Sequence, residues 1–350
     1  MDASGQQETA EALKALERLD GRVRTLPAAG RTPGAARNEG LRAARGAYCF
    51  FPDAGDRLEA DTLNVAWNLA EAEQLDVTVL PSAIHDGLRA GATVSGGVWV
   101  ELLPEKRPFA AEDVAQNLFQ AVQTRVWDKL WRTAFLREKK LAFGEGDCGG
   151  DLPLVLPAVA QAARMDYVTG MPRIQHGLGE KVRTEEAPDT FYRMLLRTRE
   201  GLQKAGVYER REQDFENFAL HYALEQMTCQ TPEAYPEIYG QMQSRWLEEL
   251  GVLFRPRIYF FSGDDFKLMN RLRQENAVDY LLLTVRESRE RLEALSRLPS
   301  AEEEMTKSPV YRAGMRVTWL PRKMRSAGRL LKEEGVGGTL RYALGKTPAP

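Results

Sequence analysis

Apolar residues recur at helical spacing from Thr9 to Leu19, with Leu13, Leu16 and Leu19 on one face, and Asp20-Gly21 ends the repeat. Val23 to Leu26 reads as a short strand. A second amphipathic helix is expected from Ala35 to Ala44, followed by a turn at Gly46 and an apolar strand from Tyr48 to Phe51. The pattern returns to helical from Asp61 to Ala72, where Leu63, Trp67 and Ala70 share a side, and to a β-branched strand from Asp76 to Leu80. Thr93 to Leu103 reads as extended, with Gly96-Gly97 marking a bulge or hairpin bend. Ala111 to Gln123 reads as helical. Pro153 suits the first turn of a helix running to Arg164, and Asp166 to Thr169 reads as a strand. Strands alternating with helices indicate an α/β core.

Beyond Gly179 the period becomes helical almost throughout. Leu-, Glu- and Arg-rich segments run over Thr190 to Ala205, Glu212 to Met227 and Tyr235 to Leu250. Phe266 to Leu298 is long enough to predict a break or a coiled packing. Arg257 to Phe261 between them fits either a short strand or a buried turn. Three parts are therefore expected: a core over 1–179, a helical extension over 180–304 and a basic amphipathic tail over 305–350. In the tail, Arg312, Arg316, Arg322, Lys323, Arg325, Arg329 and Lys332 are interleaved with Val317, Trp319, Leu320, Met324, Leu330 and Leu331, with no acidic residue among them. Such a segment suits an anionic membrane surface, and equally a solvated helix face that binds nothing.

At 350 residues the chain is long enough for a full core and a smaller second unit. A formal net charge of -2 excludes a global electrostatic footprint for nucleic acid, so no nucleic-acid partner is expected. Cys49, Cys148 and Cys229 are far apart and only three histidines are present, which argues against a structural zinc site or a disulfide framework. The opening MDASGQQETAEAL has neither a basic region nor an apolar run, and no window approaches eighteen apolar residues. A cytoplasmic location is expected, peripheral at the inner face of the cell membrane if the tail binds lipid.

The chemistry-bearing residues concentrate around the strand at Tyr48. Asp53 and Asp56 lie just past its carboxyl end, where open α/β sheets bind ligands. Taken locally, Asp53-Ala54-Gly55-Asp56 reads first as a turn, with Asp56 or Asp61 capping the next helix. Asp151, at a loop-to-helix junction in the Gly-rich stretch LAFGEGDCGGDLPL, fits a general base or a helix cap. His85, His176 and His221 are widely separated and read as ordinary surface or satisfied core histidines. Asp264-Asp265 reads as a helix cap before Phe266. No G-x-G-x-x-G follows a first strand, so a Rossmann dehydrogenase is poorly supported.

Ala36-Arg37-Asn38, Gly40-Leu41, Ala44-Arg45-Gly46, Tyr48, Phe51 and Asp53-Ala54-Gly55-Asp56 stand in the order of an Arg-Asn helix leading through A-x-G-x-Y-x-x-F-x-D-x-D-D. Val126-Trp127-Asp128-Lys129-Leu130-Trp131 and Phe135-Leu136 follow V-W-x-K-L-Y-x-x-x-F-L, and LAFGEGDCGGD follows F-x-x-G-x-x-x-E-D. In these motifs the chain resembles the family 2 glycosyltransferases, inverting nucleotide-sugar-dependent enzymes of GT-A fold. The resemblance implies a mixed, mostly parallel α/β sheet, here N-terminally incomplete, with a helical C-terminal extension. Met1-Asp2-Ala3-Ser4-Gly5 looks like the tail of a motif that follows the family's second strand, so its first strand, helix and second strand are expected to be missing.

By this resemblance a sugar passes from a nucleoside diphosphate sugar, a UDP-sugar foremost, to a cell-surface glycan or polyprenyl-lipid-linked acceptor of the capsule or exopolysaccharide type. Asp151 is the implied catalytic base. Asp2, Arg37, Asn38 and Asp53 are implied on the nucleotide-sugar side, with Trp127 and Lys129 on the acceptor side. Asp53 and Asp56 are implied as ligands of Mg²⁺ or Mn²⁺, held weakly because Gly55 replaces a family carboxylate. Gly150 likewise stands where the family has Glu. These departures support an alternative: a degenerate transferase fold serving as a binding or assembly partner.

Overall fold

The computed structural model describes residues 7–26, 32–85, 93–145, 150–170, 173–177 and 187–296. Asp2, Cys148 and the basic tail over 305–350 lie outside them. In chain order the elements begin with α1 (Gln7–Leu19), α2 (Pro33–Ala43), β1 (Tyr48–Phe50), β2 (Arg57–Leu58), α3 (Thr62–Glu73), β3 (Val77–Val79), β4 (Ser82–His85) and β5 (Thr93–Gly96). Next come α4 (Leu118–Ala121), β6 (Lys129–Arg132), α5 (Thr133–Glu138), α6 (Leu152–Gln161), β7 (Met165–Tyr167) and β8 (Ile174–Gly177). The remainder is helical: α7 (Thr190–Lys204), α8 (Tyr208–Thr228), α9 (Tyr235–Gln241), α10 (Leu247–Glu249), α11 (Gly263–Gln274) and α12 (Ala277–Ser296).

Two four-stranded sheets carry the core. The first has the order β1-β6-β3-β7. Its β6 is antiparallel to both β1 and β3, while β3 and β7 are parallel, so three strands point one way and only β6 opposes them. The sheet is thus mixed and mostly parallel in strand direction. The second sheet has the order β2-β8-β4-β5, with β4 parallel to β8 and antiparallel pairs at both edges. In the register of β2 and β8, Arg57 faces Gln175 and Leu58 faces Ile174. One step further along each strand brings Asp56 opposite His176, two residues that no local spacing relates.

The helix at Arg37 starts where its sequence permits. Thr32 caps α2 by accepting the Ala35 N–H, and Pro33 occupies the first turn, where its missing donor costs nothing. Gly34 is required for contact: a Cβ there would collide with the Gly144 carbonyl oxygen. That close approach docks α2 against the loop leading to Asp151. Asn38 locks the same junction, donating to the Phe143 carbonyl at 3.0 Å and accepting the Phe143 N–H at 2.8 Å.

Helix α6 is buried from Leu152 to Ala160 and packs on α7, which packs on α8. A helix apolar on every side must be enclosed, and the helical half encloses it. Residues 1–280 form one compact unit. The second unit begins at Leu281; its described residues are helical and expose Leu282 and Val285.

Two of the sequence-based expectations change. Val23 to Leu26 forms no strand: Arg22 pairs with Asp20, and the Thr25 N–H is taken by Glu17, so side chains satisfy this backbone locally. Ala111 to Gln123 is a 3₁₀ turn at Ala111–Asp113 followed by the one-turn α4. Here tertiary bonds outbid the helical period. Buried Arg211 donates to the Ala111 and Val114 carbonyls, and Asp214 accepts the Asn117 N–H. The long helical segment from Phe266 breaks, as its length predicts, at Glu275 and Asn276, and Asn276 accepts the N–H groups of Val278 and Asp279 to start α12. Arg257 to Tyr259 is neither a strand nor a buried turn but a 3₁₀ turn with no buried residue, Ile258 being exposed.

Candidate active site

Asp53 and Asp56 form a tight turn at the carboxyl end of β1. The Asp56 N–H donates to the Asp53 carbonyl at 3.1 Å, and the Asp53 N–H donates back to Asp56 Oδ2 at 2.7 Å. Gly55 has φ +96°, a left-handed conformation that a carboxylate-bearing residue adopts only with strain, although its Cβ direction is open space. Asp61 does not cap α3 by its side chain; it pairs with Arg173 at 2.6 Å.

His176 completes this corner. Its Nδ1 lies 2.6 Å from Asp56 Oδ1, and its ring stacks on Trp127 with centroids 4.2 Å apart and planes 6° apart. Asp56 is 1% exposed and both its oxygens are engaged, one by His176 and one by the Asp53 N–H. Asp53, Asp56 and His176 offer ligand atoms within 4.8 Å of one another. Two carboxylates and an imidazole fit a divalent cation, with nitrogen favouring Mn²⁺ over the strictly oxygen-preferring Mg²⁺. A histidine whose second nitrogen is held by a carboxylate is the arrangement that fixes a metal-binding imidazole. The sequence reading missed His176 because its partner lies 120 residues away and only the β2–β8 register joins them.

Asp151 stands at the N-cap position of α6, yet its side chain makes no capping hydrogen bond. It turns instead to Arg37. The two terminal nitrogens of that guanidinium divide between Asp151 Oδ1 and Asp53 Oδ1, so one cation joins both acids. Phe143 supports it from one face, 5.6 Å away, and Phe51 packs edge-on against Phe143 at 5.1 Å. Burial pushes the Asp151 carboxyl up to about 6; the Arg37 charge pulls against this, the Asp53 carboxylate adds to it, and Lys129 opposes it.

Lys129, expected on the acceptor side, is fully buried. Its Nζ donates to Asp128 Oδ1 at 2.6 Å and to the Arg125 carbonyl at 2.8 Å. Burial drives the two groups toward neutrality, raising the Asp128 pKa and lowering that of Lys129. Trp127 is 5% exposed and serves as the platform for His176. His221 pairs with Asp265 at 3.1 Å, remote in the helical half, and Asp265 sits in the first turn of α11, capped by Ser262.

A sheet of this direction pattern, with acids at strand ends and an all-helical second half, defines a GT-A-type fold. The sequence agrees: residues 1–111 match the profile of glycosyl transferase family 2, and this part of the chain is a domain of that family. Among solved structures, the chain is similar to residues 1–349 of S. aureus TarS in complex with UDP-GlcNAc. The TM-score is 0.58 at 16% identity, covering 83% of this chain and 81% of that one. The same TarS fragment in complex with UDP gives 0.55 and 16%, covering 80% and 79%. A longer S. aureus TarS chain gives 0.55 and 15%, of which 46% is covered. At these identities the likeness is one of fold. No curated protein sequence matches the chain. No helix among the described residues is long and apolar enough to cross a membrane.

Proposed function

We propose that the protein transfers a sugar from a nucleoside diphosphate sugar to a hydroxyl of a glycan or lipid-linked acceptor, with inversion at the anomeric carbon. The observation that carries this reading is the bridging of Asp53 and Asp151 by Arg37, which holds a donor-side acid and a prospective base on one guanidinium. The TarS crystal forms with UDP and UDP-GlcNAc support a UDP-sugar as donor.

Asp53 and His176 are the proposed direct holders of a divalent cation, and Asp56 orients His176. Such an ion, when bound, supplies positive charge against the departing diphosphate. Asp151 accepts the proton of the acceptor hydroxyl as its oxygen bonds to the anomeric carbon. The bond from that carbon to the diphosphate oxygen breaks in the same displacement, and its electron pair leaves with the nucleoside diphosphate. Arg37 and Asn38 border the diphosphate, Arg37 through its donor fork and Asn38 by fixing Phe143. Asp2 belongs to the same proposal by position in the motif alone. The helical extension, whose described residues begin at 187, and the tail over 305–350 are proposed to present the acceptor, the tail by contact with an anionic membrane surface.

Gly55 and Gly150 favour the second reading, a transferase fold retained for binding or assembly. Calorimetric titration of UDP with and without Mn²⁺ separates the two. Binding that Mn²⁺ strengthens supports the enzyme; a folded sample that takes up no nucleotide sinks it.

A further inference from the structure

Arg37 occupies an unusual electrostatic position. It is a single guanidinium, 20% exposed, whose two terminal nitrogens are both committed to acids from different parts of the chain. Its place is built rather than incidental: Gly34 brings α2 close, Asn38 clamps Phe143 by two hydrogen bonds, and the Phe143 ring supports the guanidinium. Asp53, which it engages, also belongs to the Asp53–Asp56–His176 cluster. Two cations therefore compete for one carboxylate. A divalent ion at Asp53 and a guanidinium on the same carboxylate repel each other, and the low exposure of the site limits screening.

We infer that Arg37 is an interlock: it holds Asp53 against a bare divalent cation and covers Asp151 until a nucleoside diphosphate arrives. This rests on the nucleotide-sugar reading above and adds a loading order to it. The diphosphate offers the guanidinium a replacement partner whose oxygens accept its donor fork in bidentate fashion, as a carboxylate does. Arg37 then moves to phosphate, Asp53 becomes available to the cation, and Asp151 loses its cover at the step when the acceptor needs it. Cation and diphosphate consequently load with positive coupling, and linkage makes the coupling reciprocal. Arg37 is a positioning residue in this scheme, acting on the cation through Asp53 and on the acceptor through Asp151.

The test measures Mn²⁺ affinity by electron paramagnetic resonance, without nucleotide and with saturating UDP, in the wild-type chain, Arg37→Gln and Arg37→Lys. Arg37→Gln keeps a hydrogen-bonding group between the acids and removes the charge. It is expected to bind Mn²⁺ alone about tenfold more tightly than wild type, while the strengthening by UDP shrinks. Arg37→Lys, a point charge unable to fork, falls between. Circular dichroism confirms that each variant is folded; if Arg37→Gln is not, Arg37→Lys carries the comparison. Equal or weaker Mn²⁺ binding by the folded variants overturns the interlock. If UDP binds to none of the proteins, the nucleotide reading falls, whereas tighter Mn²⁺ binding in Arg37→Gln still upholds the competition at Asp53.

Discussion

Asp151 illustrates how a single residue's environment decides between a bland role and a chemical one. Either reading fits its sequence position, but its carboxylate points away from the helix end and into an ion pair. With its carboxyl lifted to about 6 by burial, the group is protonated below that pH and cannot accept a proton. Transfer activity is therefore expected to rise through pH 6 and level off above it, read from kcat/KM against pH. Asp151→Asn should lose about 10²–10⁴-fold in rate with UDP affinity little changed. The same shift works against stability. A carboxyl with a raised folded-state pKa binds its proton more tightly folded than unfolded, so its contribution becomes unfavourable as pH rises from the ordinary carboxylate value toward 6. At the cation corner, His176→Ala is expected to weaken Mn²⁺ binding in the presence of UDP. Asp56→Ala, which frees the imidazole, should weaken it about 10–100-fold as well. Unchanged affinity in both would remove His176 from the proposed ligand set.

At the scale of elements, the turn after β1 and the strand β6 show where family pattern and backbone diverge. Restoring a carboxylate by Gly55→Asp is expected not to improve Mn²⁺ binding. The left-handed backbone at this position would cost about 1 kcal/mol or more, seen as a lower midpoint of denaturant unfolding. Lys129 at the start of β6 and Asp128 just before it form a buried polar pair in place of apolar packing. Lys129→Met leaves Asp128 without its partner where neither side chain is exposed. This should destabilise the fold by about 3–5 kcal/mol in urea titration, and Asp128→Asn added to it should recover part of the loss. Much at this scale could be read from the chain: the Tyr48 strand, the Asp61 and Pro153 helices, and the long helices of the second half all follow their hydrophobic periods. The Ala111 to Gln123 segment could not, because its backbone bonds go to Arg211 and Asp214, roughly a hundred residues downstream. Strand β6 was hidden for a related reason, since a lysine in a buried strand looks unfavourable until its partners are in place.

For the molecule as a whole, the helical half and the sheet share one interior. Helix α6 packs on α7 and on α4 with nearly every residue enclosed, and Arg211 of α8 holds the loop beside α4. A chain ending at residue 179 would expose the α6 face that α7 covers. It is expected to unfold without a cooperative transition, or to aggregate, whereas residues 1–280 should unfold as one unit by calorimetry. Local periodicity was enough to determine most of the long helices and the α/β character, and motif order was enough to single out Asp53 and Asp151 as candidates. Both depend on neighbours within a few residues, where backbone geometry fixes what a spacing means. Only the tertiary structure decided that His176 joins the acid turn and that one guanidinium serves both carboxylates. Those facts arise from strand register and from helix-to-loop contact between distant segments, and no spacing along the chain encodes them.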